Sequence, residues 1–369
     1  GVLFWDRISN WNLLSNTEEF SYAGVNPCAE EPLPAGGSCL LGSINLSEFV
    51  RNPFSESADF DFEELKKCVT ASVFALNEVL EEGLPLHPLP EQRESVEKWR
   101  QIGLGIMGLA DALIKLGVTY GQKETVDICD KIGFVMADTA IAASALLAKE
   151  KGRFSGCKVE EIMETPYFLM NTTEETRALV KEYGLRNAQL LTIAPTGTLS
   201  TMLGISGGIE PVYANYYERK TESLHGEDVY YRVYTKIVKD YMEAHRIEDD
   251  RELPGFFVTA MNLDYKQRID MQAIWQLHVD ASISSTVNLS HGFTKEETEA
   301  LYMYAYDMGL KGITIYRDGC KRMGILSTKK KEENKSASGI LPCPECGGEL
   351  VSTEGCDSCK SCGWSKCQL

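Results

Sequence analysis

Basic residues are under-represented in this chain: 37 Lys and Arg face 54 Asp and Glu, a formal charge of -17. Proteins that wrap a polyanion neutralise its phosphates with clustered cations, so no nucleic-acid partner is expected. A small phosphorylated ligand remains compatible, because the amides of one helix N-terminus can hold a diphosphate whatever the net charge. No apolar run reads as long enough to cross a bilayer, and 43% hydrophobic with 25% charged residues is a globular balance, so no membrane partner is expected either. The start, Gly1-Val2-Leu3-Phe4-Trp5-Asp6, lacks an initiator Met, a basic leader and a small-residue cleavage site. It reads as interior sequence of a cytoplasmic protein, whether fragment, processed product or one subunit of a split protein. Histidine is scarce too, and His87, His225, His245, His278 and His291 stand apart and suggest no ligand set.

What is plentiful is cysteine, unevenly placed. Cys28, Cys39, Cys68, Cys129, Cys157 and Cys320 are scattered, whereas Cys343, Cys346, Cys356, Cys359, Cys362 and Cys367 crowd the end. Without secretory features, that cluster reads as metal and redox chemistry in a reducing compartment. Two Cys-x-x-Cys knuckles, Cys343 with Cys346 and Cys356 with Cys359, suit tetrahedral thiolate coordination of Zn2+. So small a module depends on the ion to fold. Cys362 and Cys367 are then left as a terminal dithiol able to exchange disulfides. A second allocation takes Cys359 and Cys362, followed by Gly363, as the second knuckle, and leaves Cys356 and Cys367 to exchange.

Along the chain, helical stretches alternate with short apolar strands, which points to an α/β architecture. One helix is expected from near Ser95 through Leu104 and Leu109 to Gly117, another from Asn171 to Gly184, and a third from Thr294, with Glu297 placed for a capping box, to Gly309 or Gly312. Strands are expected at Gln189 to Ala194, ended by Pro195, and at Gly312 to Tyr316. The polar stretch 327–340 reads as a flexible linker between a domain over 1–326 and a cysteine-rich tail over 341–369.

Two loops concentrate chemistry. Asn26-Pro27-Cys28-Ala29-Glu30 sets an amide, a thiol and a carboxylate within five residues, and Pro27 bars a regular helix. In an extended or turn geometry the three could act together, one donating hydrogen bonds, one being oxidised and one taking a proton. Pro195-Thr196-Gly197-Thr198-Leu199 follows an apolar strand and offers free amides and hydroxyls to phosphate oxygens without a lysine. Gly103-Leu104-Gly105-Ile106-Met107-Gly108 matches a dinucleotide-binding pattern formally, but it lies in the expected helix, so its glycines are read as packing devices.

The stretch NPCAEEPLPAGGSCLLGSINL resembles the finger loop of ribonucleotide reductases, whose motif is asparagine-x-cysteine-x-glutamate. The resemblance implies that Cys28 is the thiyl-radical residue, Glu30 the general base at the substrate's 3′ hydroxyl, Asn26 its hydrogen-bonding partner, and Cys39 one of two thiols that reduce the 2′ carbon. It makes Pro195, Thr196, Gly197, Thr198 and Leu199 substrate-phosphate contacts, with Gly207-Gly208-Ile209-Glu210-Pro211 following as the family pattern has it. The terminal cysteines resemble the swinging pair that re-reduces the active site, served by a thioredoxin- or glutaredoxin-like protein. The family's oxygen-dependent class has an adjacent tyrosine pair near its last barrel strand; the matching Lys311 to Arg317 has none, and Tyr216-Tyr217 and Tyr230-Tyr231 lie in other contexts. With a cysteine-rich tail where the anaerobic class has a glycyl-radical loop, the chain resembles the adenosylcobalamin-dependent class II. The expected fold is the second half of a ten-stranded α/β barrel with a zinc-ribbon tail. A ribonucleotide substrate, a complementary N-terminal half and a homodimer are the implied partners. The alternatives are a non-catalytic zinc-ribbon interaction subunit and a class I large-subunit-like reductase.

Overall fold

Strands covered on both faces read as apolar runs without alternation, and Ile102–Met107 is such a run, buried at every residue. It belongs to a series of parallel strands at the centre of the structure, a computed structural model that describes residues 1–38, 40–222, 228–319, 343–346, 350–353, 356–359, 361–362 and 364–367. The chain forms two compact units, Gly1–Gly324 and Ile325–Leu369. The expected linker and Cys320 lie outside the described residues.

The strands of the first unit are β1 (Val2–Leu3), β2 (Gly24–Val25), β3 (Pro32–Leu33), β4 (Leu40–Asn45), β5 (Val50–Arg51), β6 (Asp59–Phe60), β7 (Ile102–Met107), β8 (Tyr216–Glu222), β9 (Asp228–Tyr234), β10 (Thr286–Leu289) and β11 (Gly312–Arg317). β4 runs parallel to β7. Parallel bridges from Leu104 to Leu191 and from Ile193 to Ile283 carry the ladder through residues 189–194 into the segment that becomes β10. β10 pairs in parallel with β11, and β1 covers the far edge of β11 antiparallel. β8 and β9 form a separate hairpin that carries both adjacent tyrosine pairs.

The helices are α1 (Trp5–Asn10), α2 (Phe62–Gly83), α3 (Pro90–Trp99), α4 (Leu109–Leu116), α5 (Lys123–Lys151), α6 (Val159–Met163), α7 (Pro166–Met170), α8 (Glu174–Tyr183), α9 (Gly197–Leu203), α10 (Lys236–His245), α11 (Tyr265–His278) and α12 (Lys295–Asp307). The expected second and third helices appear as α8 and α12. Thr173, rather than Asn171, caps α8 by accepting from Thr176 N, and Gly184 follows its end at φ 72. The capping box of Thr294 and Glu297 is formed in both directions.

Two expectations change. The single helix expected from Ser95 to Gly117 is broken into α3, β7 and α4, with Arg100 left-handed at φ 49 where α3 stops. Tertiary packing decides this: a Cβ on Gly105 would lie 2.2 Å from the Thr192 carbonyl oxygen, so the glycine allows β7 to press against its neighbour. The glycines are therefore packing devices, but of a strand. Secondly, α5 is long and apolar enough by composition to span a bilayer. Its most apolar window is 61% buried within the fold, against α2, α8 and α11, so it serves as a core helix.

Below the strands lies a buried cation. Lys311, just before β11, is fully buried, and its Nζ donates to the carbonyl oxygens of Trp11 (2.5 Å), Asp280 (2.7 Å) and Ala281 (2.5 Å). The Asp280 carboxylate accepts from Leu190 N (2.9 Å) and Leu191 N (2.7 Å). Burial pushes the ammonium towards losing its proton and the carboxyl towards gaining one, and each charge opposes the other's shift. Three carbonyls on one amine and two amides on one carboxyl are the geometry of the ionised pair. Lys311→Met would strand that carboxylate and cost roughly 3–5 kcal/mol, read as a lower urea midpoint at unchanged slope. A loss under about 1 kcal/mol would mean that the pair is not structural.

Candidate functional site

The hairpin of β2 and β3 holds the loop Asn26 to Glu31 at its tip, with Val25 opposite Pro32. Asn26 closes this loop twice: its N–H donates to Glu31 O (3.1 Å), and its side-chain Oδ1 accepts from Glu31 N (3.0 Å). Between them Ala29 is left-handed at φ 66, and its N–H donates to Asn26 O (3.0 Å). The loop is thus a turn, and its twist at Ala29 separates the neighbours on either side. Cys28 is exposed, while Glu30 is 2% exposed.

Oε2 of Glu30 is buried and meets no hydrogen-bond donor among the described residues. An orphaned carboxylate oxygen costs free energy unless a ligand proton comes to it. The main chain of Glu30 is fixed instead: its carbonyl oxygen accepts from Thr192 Oγ1 (2.7 Å) and Ser282 N (2.9 Å). Desolvation, and then the Glu30 charge, raise the Cys28 thiol above its ordinary value, so it is protonated at neutral pH. The neighbouring Glu31 is also 2% exposed; its Oε2 accepts from Gln189 Nε2 (2.7 Å), and Gln189 Oε1 accepts from Gln101 Nε2 (3.1 Å) and Tyr22 OH (3.3 Å).

The segment 189–194, expected as a strand, forms only isolated bridges at Leu191 and Ile193, because each flanking segment meets it at a single residue, and it ends at Pro195. Thr196 then turns left-handed at φ 50, and its Oγ1 accepts from Gly208 N (2.9 Å). α9 starts at Gly197, so the amides of Gly197, Thr198 and Leu199 have no acceptor inside the helix. Pro195, Gly197, Thr198 and Leu199 are exposed and Thr196 is buried. The glycine segment is pressed beneath this turn: a Cβ on Gly207 would lie 2.7 Å from Pro195 O. Glu210 anchors it, accepting from Thr286 N (2.9 Å) through Oε1 and pairing through Oε2 with the buried guanidinium of Arg268, which also donates to Ser285 Oγ (3.0 Å) and Tyr120 OH (2.5 Å). Both motifs therefore meet one extended segment, with Glu30 held at Thr192 and the phosphate-loop candidate four residues later. Cys39, directly before β4, lies outside the described residues.

In the second unit, β12 (Leu350–Thr353), β13 (Cys356–Cys359) and β14 (Ser365–Cys367) form an antiparallel sheet. The sulfurs of Cys343, Cys346, Cys359 and Cys362 lie within 4.8 Å of one another, with 3.6 Å between Cys343 and Cys362 and 3.5 Å between Cys346 and Cys359. A tetrahedral ion with sulfur at about 2.3 Å sets its ligands roughly 3.8 Å apart, so the donor set fits a metal such as zinc. Amides of Cys362 and Ser361 aim at Cys359 and hold its thiol below the ordinary value, which favours the thiolate that a metal needs. The quartet contains Cys362 where the first allocation had Cys356, so it matches the second allocation. Hairpin register decides this: β13 and β14 pair Cys356 with Cys367 as Cα partners and leave the turn between them to Cys362.

The match to known proteins follows the same lines. The model of the family "Ribonucleotide reductase, barrel domain" matches residues 1–316, and the chain belongs to this family. It is 30% identical to the vitamin B12-dependent ribonucleoside-diphosphate reductase of Thermoplasma acidophilum, over 94% of this chain and 44% of that protein. The enzyme of the same name from Mycobacterium tuberculosis (strain ATCC 25618 / H37Rv) is 31% identical, over 89% of this chain and 45% of its own length. A ribonucleoside-diphosphate reductase subunit alpha of Chlamydia pneumoniae is 29% identical over 95% of this chain and 38% of its own. The chain thus spans less than half the length of these curated relatives. The fold is also that of the Actinobacillus ureae class Id ribonucleotide reductase alpha subunit, with a TM-score of 0.66 at 19% identity over 86% of this chain and 57% of that one.

Thr192, Gln189, Glu31 and Arg268 are the parts of the site that sequence reasoning missed. Polar side chains inside or beside apolar runs were their one signal. A prediction follows from the pairing of Cys28 with Glu30. Iodoacetamide labelling of Cys28, followed by peptide mass spectrometry, should show a pH midpoint above that of a free thiol, and Glu30→Gln should lower it, because a carboxylate opposes the thiolate. An unchanged midpoint would separate the two groups.

Proposed function

We propose that this chain supplies the radical cysteine and the phosphate loop of an adenosylcobalamin-dependent ribonucleoside-diphosphate reductase, a cytoplasmic enzyme that removes the 2′ hydroxyl of a ribonucleotide. The observation that carries this is the Asn26 to Glu30 turn, with an exposed, protonated thiol beside a buried carboxylate oxygen that has no donor. A hydrogen-atom relay needs a thiol rather than a thiolate, and a base needs a free lone pair facing the substrate.

When bound, adenosylcobalamin supplies the radical chemistry that takes the hydrogen atom from Cys28. The Cys28 thiyl then abstracts the 3′ hydrogen of the substrate and returns it to the 3′ carbon once the 2′ carbon is reduced, while Glu30 accepts the 3′ hydroxyl proton and Asn26 donates from its amide, whose oxygen is occupied by Glu31 N. Cys39 and a second thiol provide two electrons as the 2′ oxygen leaves as water, and become a disulfide. The diphosphate rests on the amides of Gly197, Thr198 and Leu199, with Pro195 and Thr196 shaping the turn. Because the relatives are more than twice as long, the reading assigns the second thiol to a complementary N-terminal half. Homodimerisation belongs to the same reading.

In the tail, Cys343, Cys346, Cys359 and Cys362 hold Zn2+, and Cys356 and Cys367 return electrons from a thioredoxin- or glutaredoxin-like protein to the Cys39 disulfide. Cys362→Ser should lose bound zinc and Cys356→Ser should keep it; metal analysis giving the reverse would restore Cys356 as the ligand. Cys28→Ser, mixed with the complementary half, should abolish deoxynucleotide formation, and any retained turnover would overturn the mechanism. Cys367→Ser should spare a single turnover but stop the next when only a dithiol protein is the donor. Loss of the single turnover as well would remove the shuttle role.

A further inference from the structure

Among the described residues no donor reaches Oε2 of the base Glu30. What holds it is the backbone. Its carbonyl oxygen takes two hydrogen bonds from different segments, one from the main-chain Ser282 N (2.9 Å) and one from the side chain of Thr192 (2.7 Å). Thr192 is 1% exposed in an otherwise apolar run, and its hydroxyl oxygen lies nearer Glu30 O than Ser282 O (3.1 Å). Other contacts fix the flanks: Gln189 donates to the Glu31 carboxylate, and the Asn26 side-chain oxygen accepts from Glu31 N across the turn. Glu30 itself is tied at this one oxygen.

We propose that Thr192 is a positioning residue for the base: through its hydroxyl it fixes the Glu30 backbone on its own extended segment, and so sets where the carboxylate stands relative to Cys28. The inference rests on the reading of Cys28 and Glu30 as a functional pair. Thr192 touches no reacting atom. It is joined to the phosphate loop by the segment on which it lies, so the same residue also sets the base at a fixed distance from Thr196, four residues of extended chain or roughly 13 Å away. A mobile base would lose that register even with every catalytic side chain present.

The test uses this chain alone and needs neither cofactor nor complementary half. The pH midpoint of Cys28 alkylation reports the Glu30 charge, the one charge among the described residues that shifts this thiol. Thr192→Val, which keeps the shape and removes the hydroxyl, should lower the midpoint in the same direction as Glu30→Gln and by at least half as much. Thr192→Ser, which restores the donor, should return it to the wild-type position. In the Glu30→Gln background Thr192→Val should add nothing, because the charge it positions is gone. Thr192→Ala gives the same comparison should the valine variant fail to fold.

If Thr192→Val keeps the wild-type midpoint while Glu30→Gln shifts it, the positioning role is overturned and the pairing of thiol and carboxylate stands. If Thr192→Val shifts the midpoint equally in both backgrounds, the hydroxyl only shields the loop from water, and the role is overturned again. If neither Glu30→Gln nor Thr192→Val moves the midpoint, the pairing itself falls and takes the inference with it.

Discussion

The central strands are held in register by a lysine that has no water to turn to. Lys311 brings together the carbonyls of Trp11, Asp280 and Ala281, and Asp280 reaches across to the amides of Leu190 and Leu191. An ammonium held by three backbone carbonyls and a carboxylate held by two amides are costly to bury and costlier to strip of those partners, so the segments they join are tied together. The same segments carry the groups that hold the Glu30 backbone: Thr192 follows Leu191, and Ser282 follows Ala281.

From that base, two loops are aimed by different means. The Cys28 turn is closed by its own asparagine, twisted at Ala29, and seated on the barrel through one backbone oxygen. The Thr196 turn is instead supported from below by glycines that fit only because they lack a Cβ, and by Glu210 clamped to buried Arg268. In both cases the outward groups, a thiol and a row of amides, are left without strong internal partners. A site poised for a ligand spends its hydrogen bonds on position and leaves its reactive atoms free.

The tail works on other physics. Four sulfurs within 4.8 Å of one another would repel as thiolates, so an ion held there would both neutralise them and supply the stability that so small a core lacks. Its antiparallel sheet then sets Cys356 and Cys367 opposite each other, a register that follows from the turn between them. Nearest-neighbour spacing favoured pairing Cys356 with Cys359. The described sulfurs instead group Cys359, the last residue of β13, with Cys362 in the turn that follows.

Local patterns alone were enough for the α/β class, for α8, for α12 with its capping box, for β11, and for the two loops with the family they resemble. Each of these depends on residues close in sequence: a hydroxyl three places from a carboxylate, an apolar run ended by Pro or Gly, a thiol between an amide and an acid. Tertiary structure alone decided that Gly103 to Met107 is a strand, because only the approach of the Thr192 carbonyl makes Gly105 necessary there. It decided likewise that Lys311 answers Asp280, that Cys362 joins the sulfur quartet, and that Thr192 holds Glu30. Those contacts join residues far apart in the chain or set by strand register, and no window of sequence contains the distances that govern them. The Cys28 loop shows the division: its letters named the thiol and the acid, and the fold put one in the open and the other inside.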